Sequence, residues 1–105
     1  MSKKVYVLLA EGFELIEAMT PVDVLRRGGV EVVTVSITDN REVTSAQKAP
    51  VISDTTLKEK DITDGDMIIL PGGYPGYVNL GESQEVGKVL KYYVCLLYTS
   101  DAADE

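Results

Sequence analysis

Glu17 and the pair Gly72-Gly73 are the residues of this sequence whose types and settings could do chemistry together. Gly72-Gly73 lies in Leu70-Pro71-Gly72-Gly73-Tyr74-Pro75-Gly76, directly after the apolar run Met67-Ile68-Ile69-Leu70. A turn there leaves backbone N–H groups at the carboxyl end of a buried strand, where open α/β sheets build their sites. Those N–H groups could stabilise an oxyanion or hold a phosphate. Equally, the glycines could only let the chain turn tightly beneath packed side chains. The G-x-G-x-x-G series of dinucleotide sites is absent, and so is the G-K-[ST] of a Walker loop.

Glu17 stands among Leu15, Ile16, Ala18 and Met19, just past the apolar run Val5 to Ala10. A carboxylate held beside apolar groups can accept a proton from a neighbouring thiol or hydroxyl. The bland alternative is a glutamate on the wet edge of its helix. Glu11 and Glu14 have less apolar settings. Asn79 could tie the glycine loop down, and Tyr74 or Tyr77 could line a pocket. Cys95 is the only thiol, and it is followed by bulky Leu96 and Leu97, whereas a nucleophile elbow favours small residues. It reads as filler.

Positioning these residues requires a particular order of elements. Val5 to Ala10 is a nearly continuous apolar run, as in a parallel strand covered on both faces. Leu15, Ala18, Met19, Val22 and Leu25 then recur at helical spacing until Gly28-Gly29. Pro21 interrupts that pattern, which predicts a kink or a helix starting near Thr20, with Thr20 as cap and Pro21 in the first turn. Val30 to Ser36 is a second strand, completing a right-handed βαβ unit. Asp39-Asn40 marks a turn, and Glu42 to Ser53 fits a small hairpin better than a core strand. Leu57 and Ile62 are scattered anchors in a charged linker, and Met67 to Leu70 is the third core strand.

In a sheet ordered second–first–third, the ends of strands one and three are adjacent, and Glu17 could face Gly72-Gly73. Beyond the loop, Glu82 to Glu85 open a helix with Val86, Val89, Leu90, Tyr93 and Val94 on one face. Val94 to Tyr98 could pass as a strand, yet no turn residue separates it from that helix. Three core strands and two helices leave one side of the sheet without neighbours, like half of a domain, which predicts marginal stability.

Composition narrows the class. The chain has 105 residues, 45% of them apolar and 26% charged, which suits one small globular domain. Its formal charge of −7 disfavours nucleic acid or an anionic membrane surface as partner. No apolar stretch approaches the ~20 residues of a membrane span. One cysteine and no histidine exclude an internal disulfide and leave no evident zinc-type cluster. With no signal-like segment after Met1, the setting expected is cytoplasmic.

Val7 to Ala18, Thr20 to Gly29, and Leu70 to Gly76 with Asn79-Leu80 closely resemble the PfpI-like family. That family includes the Parkinson-disease protein deglycase and falls in the class I glutamine amidotransferase-like superfamily. The resemblance covers roughly residues 3–93. It implies a truncated flavodoxin-like three-layer α/β sandwich with a mostly parallel sheet. It also implies a cysteine on an elbow after the next core strand, which attacks a carbonyl. Glu17 takes the role of thiol partner, Gly73 that of oxyanion N–H donor, and Gly72 shapes the loop. No cofactor or metal is implied.

The activities implied are glyoxalase-like or deglycase-like work on small reactive carbonyls, with stress-response functions. Some relatives are peptidases or amidases acting on amide substrates, and members generally form homodimers. A non-catalytic flavodoxin-like binding module is the competing class. The family's elbow, typically Ala-Ile-Cys-Ala-Gly, is never reached here. Cys95 to Glu105 instead resembles translated sequencing-adapter read-through joined to a truncated metagenomic read. The expected division is therefore residues 1–94 as the N-terminal part of one domain and 95–105 as a non-native tail, in an inactive fragment.

Overall fold

A computed structural model describes the backbone of residues 3–103 and the side chains of residues 3–93. The order of elements is β1 (Lys4–Leu9), α1 (Leu15–Arg27), β2 (Glu31–Ser36), β3 (Glu42–Thr44), β4 (Pro50–Ile52), β5 (Thr55–Thr56), β6 (Met67–Ile69), α2 (Gly76–Glu82) and α3 (Gln84–Ala103). Four strands form a parallel sheet in the order β5-β2-β1-β6. This places the second, first and third core strands side by side, the order on which Glu17 could face Gly72-Gly73. Val7 pairs with Thr34 on one side and with Ile69 on the other.

β1 explains the layering. Its odd residues Val5, Val7 and Leu9 pack with Ala18 and Val22 of α1, with Leu15, Met19 and Leu25 closing the cluster. Its even residues Tyr6 and Leu8 pack on the opposite face with Leu80 of α2 and Val86 of α3. A strand covered on both faces has no polar side to show, so its sequence is continuously apolar rather than alternating. The result is a three-layer α/β sandwich.

α1 begins six residues earlier than Pro21 suggests. Glu14 is its N-cap, and the Glu14 carboxylate accepts the Glu17 N–H at 3.0 Å. Pro21 therefore sits inside the helix rather than in its first turn. The carbonyl that Pro21 cannot serve is that of Glu17, an exposed residue, so solvent can take the lost bond. The buried pair Ala18 and Val22, one turn apart, holds the element to the sheet across the proline.

The hairpin expected between Glu42 and Ser53 is β3-β4, antiparallel with Val43 opposite Val51. Two elements were not anticipated. β5 is two residues long, too short to carry a periodic signal, and α2 is a seven-residue helix containing Gly76 and Gly81. The strand considered at Val94 to Tyr98 is corrected: the backbone there continues α3 to Ala103. With no glycine or proline to stop it, the helix propagates. The packing of the tail's side chains lies outside the described residues.

β6 has a partner only on its β1 side among the described residues. Met67 is 43% exposed and the neighbouring Leu70 41%, as befits an apolar strand at an open edge. Beneath it, Tyr93 of α3 is buried and its hydroxyl donates to the Ile62 carbonyl while accepting the Gly65 N–H. The Tyr6 hydroxyl donates to Asp64, which also receives Lys4 Nζ at 3.0 Å. The Tyr6 bond first, and Lys4 second, hold the Asp64 carboxyl down to about 2. Tyr93→Phe should leave the Ile62 carbonyl and Gly65 amide unpaired, at a cost of about 1–3 kcal/mol. A urea-denaturation midpoint indistinguishable from that of the unaltered chain would refute this.

Candidate active site

Parallel pairing of β1 with β6 brings two connections together at the carboxyl ends of these strands. One runs from Ala10 to Glu14 and leads into α1. The other is the glycine loop from Leu70 to Pro75. Backbone bonds lock them: the Glu14 N–H donates to the Gly72 carbonyl at 2.9 Å, and the Gly76 N–H to the Gly12 carbonyl at 3.1 Å. Asn79 Nδ2 donates to the Glu11 carbonyl at 2.8 Å, which ties the glycine loop down as its position suggests.

The approach is too close for side chains. A Cβ at Gly73 would stand 2.5 Å from the Glu14 nitrogen, and Gly73 has φ +96°, a conformation L residues rarely adopt. A Cβ at Gly12 would stand 2.3 Å from Pro75 Cδ. These two glycines let the loops interpenetrate, which is the structural half of the choice left open by the sequence.

The other half concerns Glu17. Its Oε1 accepts the Gly72 N–H at 2.7 Å across 55 residues of sequence. A charge-assisted bond of this length fixes the carboxylate beside the loop. The next N–H along, that of Gly73, has no hydrogen-bond partner among the described residues, while its carbonyl accepts from Tyr77. The N–H that the Glu17 carboxylate engages and an unengaged N–H donor are thus neighbours in the loop.

The apolar enclosure expected around Glu17 is absent among the described residues. Glu17 is exposed and the adjacent Ile16 is 66% exposed, because only Leu15, Ala18 and Met19 turn toward the core. Glu14 and Glu11 have other tasks. Glu14 caps α1, and Glu11 Oε2 accepts the Thr44 N–H at 3.3 Å. Tyr77 packs against Tyr74, with ring centroids 5.9 Å apart. Cys95 lies on the α3 backbone, and its side chain is outside the described residues.

Sequence reasoning missed the contribution of the hairpin. The turn between β3 and β4 folds over the β1–α1 connection through Gly12 N–H to Thr44 carbonyl, Ala46 N–H to Phe13 carbonyl, and Leu15 N–H to Gln47 Oε1. Between them lies a cleft of about 240 Å³ bordered by Glu11, Gly12, Thr44, Lys48, Tyr74 and Pro75. No local pattern announces these contacts, since each joins segments about thirty residues apart. No group of three or more His, Cys, Asp or Glu among the described residues is arranged to hold a metal ion. No helix among them is long and apolar enough to cross a membrane.

Residues 3–95 match the model of the DJ-1/PfpI family. Protein DJ-1 homolog B of Arabidopsis thaliana is 39% identical over 92 residues, covering 86% of this chain and 20% of that protein. Protein dj-1beta of Drosophila melanogaster is 35% identical over 91 residues, covering 87% of this chain and 49% of its own length. The crystal structure of a cysteine-to-alanine mutant of a DJ-1 superfamily protein from Salmonella typhimurium superposes with TM-score 0.85 at 38% identity. It covers 89% of this chain and 50% of that one. The shared architecture is the flavodoxin-like sandwich with a mostly parallel sheet. The chain spans at most about half the length of these relatives.

Proposed function

The chain belongs to the DJ-1/PfpI family, and on that premise we propose that it forms part of a cysteine-dependent enzyme acting on small reactive carbonyl compounds, of glyoxalase or deglycase type. The observation that carries this reading is the 2.7 Å bond from the Gly72 N–H to Glu17. It holds a carboxylate beside a loop whose next N–H is unengaged among the described residues.

In the proposed reaction a thiolate adds to an aldehyde or ketone carbon, and the π pair moves onto oxygen. The Gly73 N–H then meets the developing oxyanion, an arrangement worth most when the donor is fixed in advance. Glu17 takes up the thiol proton and orients the thiol. Gly72 holds Glu17 and the loop in register.

No described side chain supplies the nucleophile, and this reading assigns it to sequence beyond residues 3–95. Residues 1–94 then form the N-terminal part of one domain, 95–105 a foreign tail, and the 105-residue chain is inactive alone. A cytoplasmic homodimer completes the reading. Ile16 and Val24 of α1 and Ile52 of β4, exposed by 66%, 57% and 67%, offer apolar surface for it.

Methylglyoxal consumption tests the proposal. The purified 105-residue chain is expected to show none above buffer. A reading frame from the same source DNA, extended past the Val94 codon into an elbow cysteine, is expected to consume it and to lose activity when that cysteine becomes alanine. Turnover by the 105-residue chain that Glu17→Gln abolishes would contradict the assignment of the nucleophile. An extended protein with an elbow cysteine but no carbonyl turnover would contradict the function.

A further inference from the structure

Glu14, Gly72 and Glu17 are joined by a closed ring of hydrogen bonds. The Glu14 N–H donates to the Gly72 carbonyl at 2.9 Å, and the Gly72 N–H donates to Glu17 Oε1 at 2.7 Å. The Glu17 N–H closes the ring by donating to Glu14 Oε1 at 3.0 Å. Each residue gives its own N–H once and accepts once. The bond between loop and helix spans 55 residues of sequence, so the ring is a tertiary device rather than a local turn.

The ring also aims a donor that lies outside it. The Gly72 carbonyl and the Gly73 N–H belong to one trans peptide, and in a planar trans peptide these groups point in opposite directions. Holding the carbonyl on the Glu14 N–H therefore turns the Gly73 N–H away from the Glu14 nitrogen. The Gly73 carbonyl is held in turn by the Tyr77 N–H at 2.9 Å. Glycine left without such bonds would have wide rotational freedom, so the aim of this donor comes from its neighbours.

We propose that Glu14 is a positioning residue for the carbonyl chemistry. Its carboxylate touches no substrate but closes the ring that holds the Glu17 side chain and the Gly73 N–H in place. The effect on turnover rests on the function proposed above, whereas the ring itself does not. The role requires an acceptor and not a charge. Glutamine has the same reach and a carbonyl oxygen to accept the Glu17 N–H, while alanine has neither. The two glutamates therefore differ in kind, because Glu17 must take up a proton and Glu14 need not.

Amide hydrogen exchange and amide relaxation of the 105-residue chain test the ring. The Gly72 N–H is expected to be protected, and the Gly73 N–H to exchange freely although it is as rigid as its neighbour. Glu14→Ala is expected to speed exchange at Gly72 about fivefold or more relative to Val7 of the core, and Glu14→Gln to stay within about twofold. In the extended protein with an elbow cysteine, Glu14→Ala is expected to lower the kcat for methylglyoxal about tenfold with KM within about twofold. Glu14→Gln is expected to restore that kcat.

A mobile Gly73, or Gly72 exchange unchanged in Glu14→Ala, would overturn the proposal. So would an unchanged kcat in Glu14→Ala, or a Glu14→Gln as slow as Glu14→Ala, since charge would then be the agent. If Glu14→Ala does not fold, Gly72 and Gly73 in the unaltered chain decide, together with Glu14→Gln. An extended protein with no turnover at all would overturn the carbonyl reading and with it the positioning role, while Gly72 exchange still decides the ring.

Discussion

Gly73→Ala is expected to cost this fold about 3 kcal/mol or more, a large share of the ~5–15 kcal/mol available to a domain. Two penalties combine. The residue has φ +96°, and the added Cβ would stand 2.5 Å from the Glu14 nitrogen and 2.9 Å from its Cβ. Glu14 cannot step aside cheaply, since it caps α1 and its N–H donates to the Gly72 carbonyl. Gly12→Ala attacks the same contact from the other side, at Pro75 and with φ +87°. The two changes disrupt one interface, so together they should cost less than their sum.

Gly72→Ala supplies the contrast. Its Cβ would meet Glu17 Oε1 at 2.7 Å, and that atom is the end of a flexible, exposed side chain. Glu17 can rotate away, and the loss is about 1 kcal/mol, close to that of one hydrogen bond. Urea denaturation of the three single variants ranks them. A Gly73→Ala midpoint equal to that of Gly72→Ala would show that the two loops are not locked as the structure has them.

What the sequence reveals follows from the range of each interaction. β1, β2 and β6 are runs of apolar residues, so the strands were legible, but a right-handed crossover leaves their order open, and β2-β1-β6 entered the sequence reading only as a condition. The meeting of Glu17 with the glycine loop was legible only on that condition, since it is this strand order that brings those ends together. Of the two readings of Pro21, the helix start near Thr20 is overturned, because Pro21 is a strong local signal while the compensation, Glu14 capping and Ala18 with Val22 packing, is spread over a turn and a tertiary contact. β5 and α2 carry too few residues for periodicity. The cleft was invisible, since Lys48 and Tyr74 are brought to it by separate loops and neither spacing nor composition links them.

Glu17→Gln is expected to separate stability from chemistry. Glutamine keeps a carbonyl oxygen for the Gly72 N–H, so the loop retains its anchor at 2.7 Å in the parent chain. Glu17 is exposed, and the change in the urea midpoint of the 105-residue chain should stay within ~0.5 kcal/mol. What glutamine cannot do is take up a thiol proton. In the extended protein carrying an elbow cysteine, methylglyoxal turnover should therefore fall by about 10²–10⁴-fold, the usual worth of a positioned general base. Glu17→Ala removes the anchor as well as the base, so it should lose the same activity and about 1 kcal/mol of stability besides. Were Glu17→Gln to keep turnover within about threefold of the unaltered protein, Glu17 would be a strut for the glycine loop and nothing more. The two variants thus divide the one bond that joins the first βα connection to the glycine loop into its mechanical and its chemical parts.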